Sequence, residues 1–215
     1  MPFNDKYRVA FVHIPKNGGT TAEYLLGMHG EIKTIGKLPY HDQVENEFLF
    51  GAGSQELTAD ELRAAIGASK YKSYTSFCIS RDPYSRFVSY VAWYKRFQPH
   101  ATDEKLGKSE FKSELDKYYR HYEEHGFQDL YLKPQNSYVY GSDGLLRVDH
   151  VFRFEMYDEI LKFISSITGK PIVNNERRML SNHYDIDFYL DASVTTKINE
   201  MYQNDFELFK YNKIT

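Results

Sequence analysis

The feature that most constrains this chain is a short apolar run near its start that gives way to a lysine and two glycines. Residues 9–14 are rich in β-branched and aromatic side chains, which predicts a buried strand. Pro15 ends that strand, Gly18 and Gly19 permit a tight turn, and apolar residues at helical spacing follow. Backbone N–H groups at such a turn favour an anion, so the stretch predicts a cradle for phosphate.

The chemistry of this loop separates it from the common nucleotide-binding loop. Lys16 adds a positive charge, and the hydroxyls of Thr20 and Thr21 add hydrogen-bond donors. In this loop the lysine precedes the glycines, and the loop contains no Gly-Lys-Ser/Thr. A nucleotide kinase of the P-loop type therefore stays only as a weaker hypothesis.

A second stretch supplies a partner for the first. Residues 75–79 predict another buried strand, Arg81 follows it, and Ser89 comes eight residues after Arg81. Together the two stretches resemble the nucleotide-binding elements of the sulfotransferases that use 3′-phosphoadenosine 5′-phosphosulfate (PAPS). Segments 133–138, 148–155 and 202–209 are similar to the carbohydrate branch, which includes heparan sulfate 2-O- and chondroitin 4-O-sulfotransferases and many bacterial proteins.

The resemblance implies a fold and an activity. The fold is an α/β, P-loop-like three-layer fold with a central parallel sheet flanked by helices, and the chain length by itself predicts one domain over residues 1–215. The activity is transfer of a sulfuryl group from PAPS to a hydroxyl of a carbohydrate acceptor, which releases adenosine 3′,5′-bisphosphate (PAP) and requires no metal. A protein that binds PAPS or PAP without catalysis is the alternative from another class.

The resemblance also assigns site residues. Lys16 is expected to stabilise the leaving group, and Arg81 and Ser89 to bind the 3′-phosphate. Arg153 and Arg177 are weaker candidates for closing over the nucleotide, and Gln135 is expected to line the acceptor cleft. The positions expected to hold the 5′-phosphosulfate are Lys16, Asn17, Gly18, Gly19, Thr20 and Thr21.

The general base is less clearly indicated. Many members of the branch carry a histidine in a His-x-Thr-Ala segment, and Glu56 stands at that position here, before Leu57, Thr58 and Ala59. A carboxylate can accept the proton of a sugar hydroxyl, and so can the histidine His41 in the preceding loop. Both candidates stay open. We interpret His13, inside the first predicted strand, as a buried structural histidine rather than a base.

Composition excludes several other classes. The formal net charge of −3 gives no reason to expect nucleic-acid binding, and it argues mildly against a highly sulfated polyanion as acceptor. Cys78 is the only cysteine, which excludes an internal disulfide. No apolar run near the start is long enough for a signal peptide or a membrane anchor, so we expect a cytoplasmic location. His121 and His125 have metal-like spacing but no third ligand.

Local signals predict the remaining elements. Thr58 and Glu61 form a capping-box pattern, and Asp82 is the expected N-cap of a helix with an apolar stripe from Tyr84 to Tyr94. Hydrophobic periodicity predicts further helices over 108–125, 157–168 and 193–209. A Gly-Ser-Asp-Gly turn at 141–144 predicts a hairpin.

Overall fold

The computed structural model describes residues 2–28, 56–96, 104–128, 131–172 and 182–215. His41 and Arg177 lie outside these ranges, so the predictions for them stay predictions. The contacts within the chain divide it into two compact units. The first unit comprises Met1–Ser80 and Ser137–Met179, and the second comprises Arg81–Asn136 and Leu180–Thr215. The expectation of a single domain stays a prediction.

The first unit contains a four-stranded sheet in the order β1-β2-β3-β4. The strands are β1 Phe3–Asn4, β2 Val9–Val12, β3 Thr75–Ser80 and β4 His150–Arg153. β2 pairs with β3 and β3 pairs with β4 in parallel, which confirms the predicted parallel sheet and both predicted strands. β1 differs, because a four-residue turn returns the chain and so pairs β1 antiparallel with β2 at the edge of the sheet.

Nine α-helices lie within the described ranges, and two of them have the bounds predicted from periodicity. In chain order they are α1 Gly19–Leu25, α2 Ala59–Ile66, α3 Ala68–Lys72, α4 Pro83–Lys95, α5 Lys108–His125, α6 Asn136–Val139, α7 Tyr157–Thr168, α8 Ala192–Met201 and α9 Gln203–Leu208. None of the helices in the described part of the chain is long and apolar enough to cross a membrane.

The core of the first unit lies between the sheet and α7. Phe77 of β3 is completely buried. Its ring packs edge-to-face against that of Phe163 on α7, with the ring centroids 5.1 Å apart. Ile160 and Ile164 of α7 are buried in the same cluster, as their helical spacing predicts. α2 begins with the predicted capping box, in which the Thr58 side chain accepts from the Glu61 N–H.

The core of the second unit is built around α4. Phe87 is completely buried, and its ring contacts those of Phe111, Tyr118 and Tyr202. The predicted stripe is confirmed as far as Val91, but Tyr94 is 38% exposed, since it lies in the last turn of α4. Asp82 caps α4 as predicted by accepting from the Ser85 N–H at 2.9 Å.

Two predictions about elements are wrong. The predicted helix 193–209 is interrupted at Tyr202, whose buried hydroxyl donates to the Leu132 carbonyl at 2.9 Å, and it forms α8 and α9 instead. The predicted hairpin is reduced to a single antiparallel bridge between Tyr140 and Leu146. Tyr138, which precedes the predicted turn, lies in the short helix α6.

Candidate active site

The sheet of the first unit collects several of the predicted site residues at one edge. Because β2, β3 and β4 are parallel, their carboxyl ends lie at the same edge of the sheet. The loop that carries Lys16 leaves the end of β2, and Arg153 ends β4 in register with Ser80 of β3. Ligands of open α/β sheets bind at this edge, which makes it the candidate site.

Lys16 has an unusual backbone conformation. Its φ is 69°, in the left-handed region, and its side chain is half-buried. A non-glycine residue there costs about 1–2 kcal/mol, and such residues concentrate at functional sites where the surrounding structure holds them in place. The loop is therefore a constrained element and not a simple turn.

Two hydrogen bonds within the first unit hold the Lys16 loop. The Asn17 side chain is completely buried, and its Nδ2 donates to the Ile79 carbonyl of β3 at 2.6 Å. The Tyr157 hydroxyl donates to the Gly18 carbonyl at 3.2 Å. Gly18 has a φ of 76°, and a Cβ there would lie 2.7 Å from the Phe154 ring, so both the backbone and the packing require glycine.

Beneath the loop lies a buried histidine–glutamate pair. His13 is 5% exposed and Glu23 of α1 is 2% exposed, and the His13 Nδ1 lies 2.9 Å from the Glu23 Oε1. The interpretation of His13 as a buried structural residue agrees with this arrangement, but its partner Glu23 was not anticipated. A histidine within an apolar strand needs a buried partner, and that requirement was the available signal.

The charge of Glu56 also affects the pKa of His13 in this pair. Burial alone lowers the pKa of His13, but the charge and hydrogen bond of Glu23, together with the charge of Glu56, raise it above 6.5. Glu56 is itself buried, at 9% exposure. The charge of the candidate base Glu56 therefore acts on His13 of this buried pair.

The second unit contains the pair predicted to bind the 3′-phosphate. Arg81 precedes α4 and Ser89 lies on it, and both are buried, at 8% and 3% exposure. The Arg81 Nε donates to the Ser85 Oγ at 2.8 Å, so Ser85 orients the guanidinium. The four-residue spacing of Arg81, Ser85 and Ser89 along one helix face was the sequence signal for this contact.

The prediction for Gln135 is wrong. Gln135 does not line a cleft, because it is completely buried within the second unit. Its side-chain amide bonds to the Arg81 backbone instead, with its Oε1 accepting from the Arg81 N–H at 2.9 Å. The sequence offered no local signal for this contact, since 54 positions separate the two residues.

Comparison with known protein families matches a model of the sulfotransferase family over residues 1–212. The chain belongs to the sulfotransferase family. Sulfuryl transfer is accordingly the general activity of this chain, the P-loop-like α/β fold is confirmed, and the nucleotide-kinase hypothesis is disfavoured. Neither the curated proteins nor the solved structures yielded a match.

Members of the sulfotransferase family generally use PAPS, and the residues of this chain suit such an anion. Lys16 and Arg81 are cationic, and the first turn of α1 carries no acidic side chain that would repel the donor. Glu23, further along α1, is paired with His13. Within the described residues no group of three His, Cys, Asp or Glu side chains could hold a metal ion.

Proposed function

We propose that this sulfotransferase transfers the sulfuryl group of PAPS to a hydroxyl of a carbohydrate acceptor. The observation that carries the proposal is Lys16, held at a left-handed φ of 69° in an anchored loop at the carboxyl edge of the sheet, in a chain of this family. The carbohydrate acceptor is supported by the resemblance of segments 133–138 and 148–155 to the carbohydrate branch.

PAPS supplies the sulfuryl group, and the Lys16 loop has two tasks. The Lys16 ammonium neutralises the negative charge that develops on the leaving phosphate oxygen, and such preorganised charge is a large contribution to catalysis. The loop also binds the 5′-phosphosulfate through its backbone N–H groups and hydroxyls. The residues proposed for this binding are Lys16, Asn17, Gly18, Gly19, Thr20 and Thr21.

Recognition of the 3′-phosphate is assigned to residues at and after the end of β3. Arg81 offers a planar donor fork suited to phosphate, and Ser89 offers a hydroxyl from α4. Arg153, exposed at the end of β4, and Arg177 supply further positive charge over the nucleotide. The 3′-phosphate distinguishes PAPS from ATP-type nucleotides, so these residues carry the donor specificity.

Glu56 is our proposed general base, and His41 is the alternative. Glu56 would accept the proton of the acceptor hydroxyl while that oxygen attacks the sulfur on the side opposite the leaving group. Its support is its burial and the effect of its charge on His13 of the buried pair. Comparing Glu56→Gln with His41→Ala decides between them, because the substitution that leaves the turnover rate intact excludes its residue.

The proposal is tested by the transfer of radiolabelled sulfate from PAPS to a panel of glycans. The informative variant is Lys16→Gly, because glycine removes the ammonium and also relieves the left-handed backbone strain. We expect turnover to fall about 10²- to 10³-fold with no loss of thermal stability. Lys210→Gly is the matched control, since Lys210 is also a lysine at positive φ (58°), and it should leave turnover unchanged.

Three results would contradict parts of this proposal. Absence of transfer to every glycan would exclude a carbohydrate acceptor. Unchanged turnover in Lys16→Gly would exclude the role of Lys16. Binding of PAP without turnover on any hydroxyl compound would favour the alternative of a nucleotide-binding protein that lacks catalysis.

A further inference from the structure

The Gln135 side chain brackets the backbone of Arg81. Its Oε1 accepts from the Arg81 N–H at 2.9 Å, and its Nε2 donates to the Arg81 carbonyl at 2.7 Å. Both hydrogen bonds are buried, and Gln135 has no exposed surface. A primary amide carries one acceptor and one donor group, so it can satisfy both backbone groups of a single residue, as a methionine or a carboxylate cannot.

The bracket is itself held by a buried carboxylate. Asp205 of α9 is completely buried, and its two oxygens accept from the Gln135 N–H at 2.7 Å and the Asn136 N–H at 2.8 Å. On the other side of this segment, the Arg86 Nη1 donates to the Lys133 carbonyl at 2.8 Å. Segment 133–136 is therefore fixed by hydrogen bonds to two buried charged side chains.

The opposite charges of Asp205 and Arg86 attract each other. Burial raises the pKa of Asp205 above its usual value, and the charge of Arg86 and the hydrogen bonds from Gln135 and Asn136 offset part of that rise. Arg86 is 1% exposed, and a buried charge of this kind is retained only where its surroundings compensate it. Such an arrangement gives segment 133–136 a rigid position in the second unit.

We infer that Gln135 is a positioning residue for recognition of the 3′-phosphate. The inference rests on the proposed function, in which Arg81 binds that phosphate. With the Arg81 backbone fixed by Gln135 and its Nε bonded to the Ser85 Oγ at 2.8 Å, the guanidinium is oriented before a ligand arrives. Gln135 thereby sets the preference for adenosine nucleotides that carry a 3′-phosphate over those that lack it.

The test measures the dissociation constants of PAP and of 5′-AMP, which lacks the 3′-phosphate, by calorimetry on the full chain. In Gln135→Met we expect PAP to bind about tenfold more weakly, the equivalent of one hydrogen bond to a charged group, while 5′-AMP changes less than about twofold. Gln203→Met is the matched control, because Gln203 is an exposed glutamine of α9 in the same unit. It should alter neither constant.

The possible outcomes separate this inference from the proposed function. If the wild type binds neither nucleotide, or does not prefer PAP, the proposed function is contradicted. The positioning role is overturned if the wild type prefers PAP but Gln135→Met weakens the binding of both nucleotides equally, or of neither.

Two further variants keep the test available if Gln135→Met does not fold. Gln135→Glu keeps the acceptor and removes the donor, and Ser85→Ala removes the contact to the Arg81 Nε. Each should weaken PAP binding selectively, and equal weakening of both nucleotides would overturn the inference.

Discussion

The contact between Gly19 and His13 gives a sharp prediction about the Lys16 loop. A Cβ on Gly19 would lie 2.5 Å from the Cδ2 and Nε2 atoms of the His13 ring, where an ordinary contact is about 3.5–4.0 Å. The ring cannot easily turn away, because its Nδ1 is bonded to Glu23 and it packs against Phe11 with ring centroids 5.5 Å apart. Gly19→Ala therefore requires a shift of about 1 Å in the backbone of the loop or in the buried pair.

The magnitude follows from the cost of overpacking a buried site. Such substitutions cost about 1–3 kcal/mol. For a chain of this length, each kcal/mol lowers the melting temperature by about 2–4 °C, so Gly19→Ala should lower it by roughly 2–12 °C. Denaturant unfolding followed by circular dichroism measures the free energy, and thermal scans give the melting temperature.

A double-mutant cycle identifies His13 as the cause. The reference background carries His13→Ala and Glu23→Gln, because removing the histidine alone would leave a buried carboxylate without that partner. Adding Gly19→Ala to this background should cost less than about 0.5 kcal/mol, since the ring is gone. An equal cost in both backgrounds would refute the steric explanation and would point to the backbone conformation at position 19.

Three further predictions concern stability, each read from unfolding free energies. The pKa of His13 is raised in the folded state, so the stabilisation by Glu23 is fully present below pH 6.5 and is lost as the pH rises through the folded-state value. The difference in unfolding free energy between the wild type and Glu23→Gln should accordingly narrow above pH 6.5, and a constant difference would contradict this assignment. Gly107→Ser should raise the free energy of unfolding by about 0.5 kcal/mol, because position 107 is the N-cap of α5 in an extended conformation and has open space for a Cβ. Its N–H already donates to Glu110. A loss of stability would exclude this cap geometry. Phe87→Ala should destabilise by about 3–5 kcal/mol because it empties the centre of the second core, and a cost below about 1 kcal/mol would mean that the site collapses or is not central.

The signals that succeeded from the sequence act over a few residues. α5 and α7 have the bounds predicted from apolar periodicity, and the capping box at Thr58 is present as predicted. The strand that leads into the Lys16 loop follows from its β-branched composition and the proline after it. These features depend on backbone hydrogen bonds and on packing faces that repeat within one element.

The wrong predictions for helix 193–209 and for Gln135 share a physical cause. α8 and α9 separate at Tyr202, whose hydroxyl donates to the carbonyl of Leu132, 70 positions earlier in the chain. The local sequence does not predict that contact. The sequence context of Gln135 identifies a motif, but it does not identify the Arg81 backbone to which the side-chain amide bonds.

The sequence by itself determined the strand, the glycine loop with its lysine, and the arginine–serine spacing that point to sulfuryl transfer. Only the tertiary structure decided that His13 is paired with Glu23, that Glu56 is buried, and that Gln135 brackets Arg81. The reason is that a buried polar group must find its partner wherever the fold supplies one, and that partner can be distant along the chain.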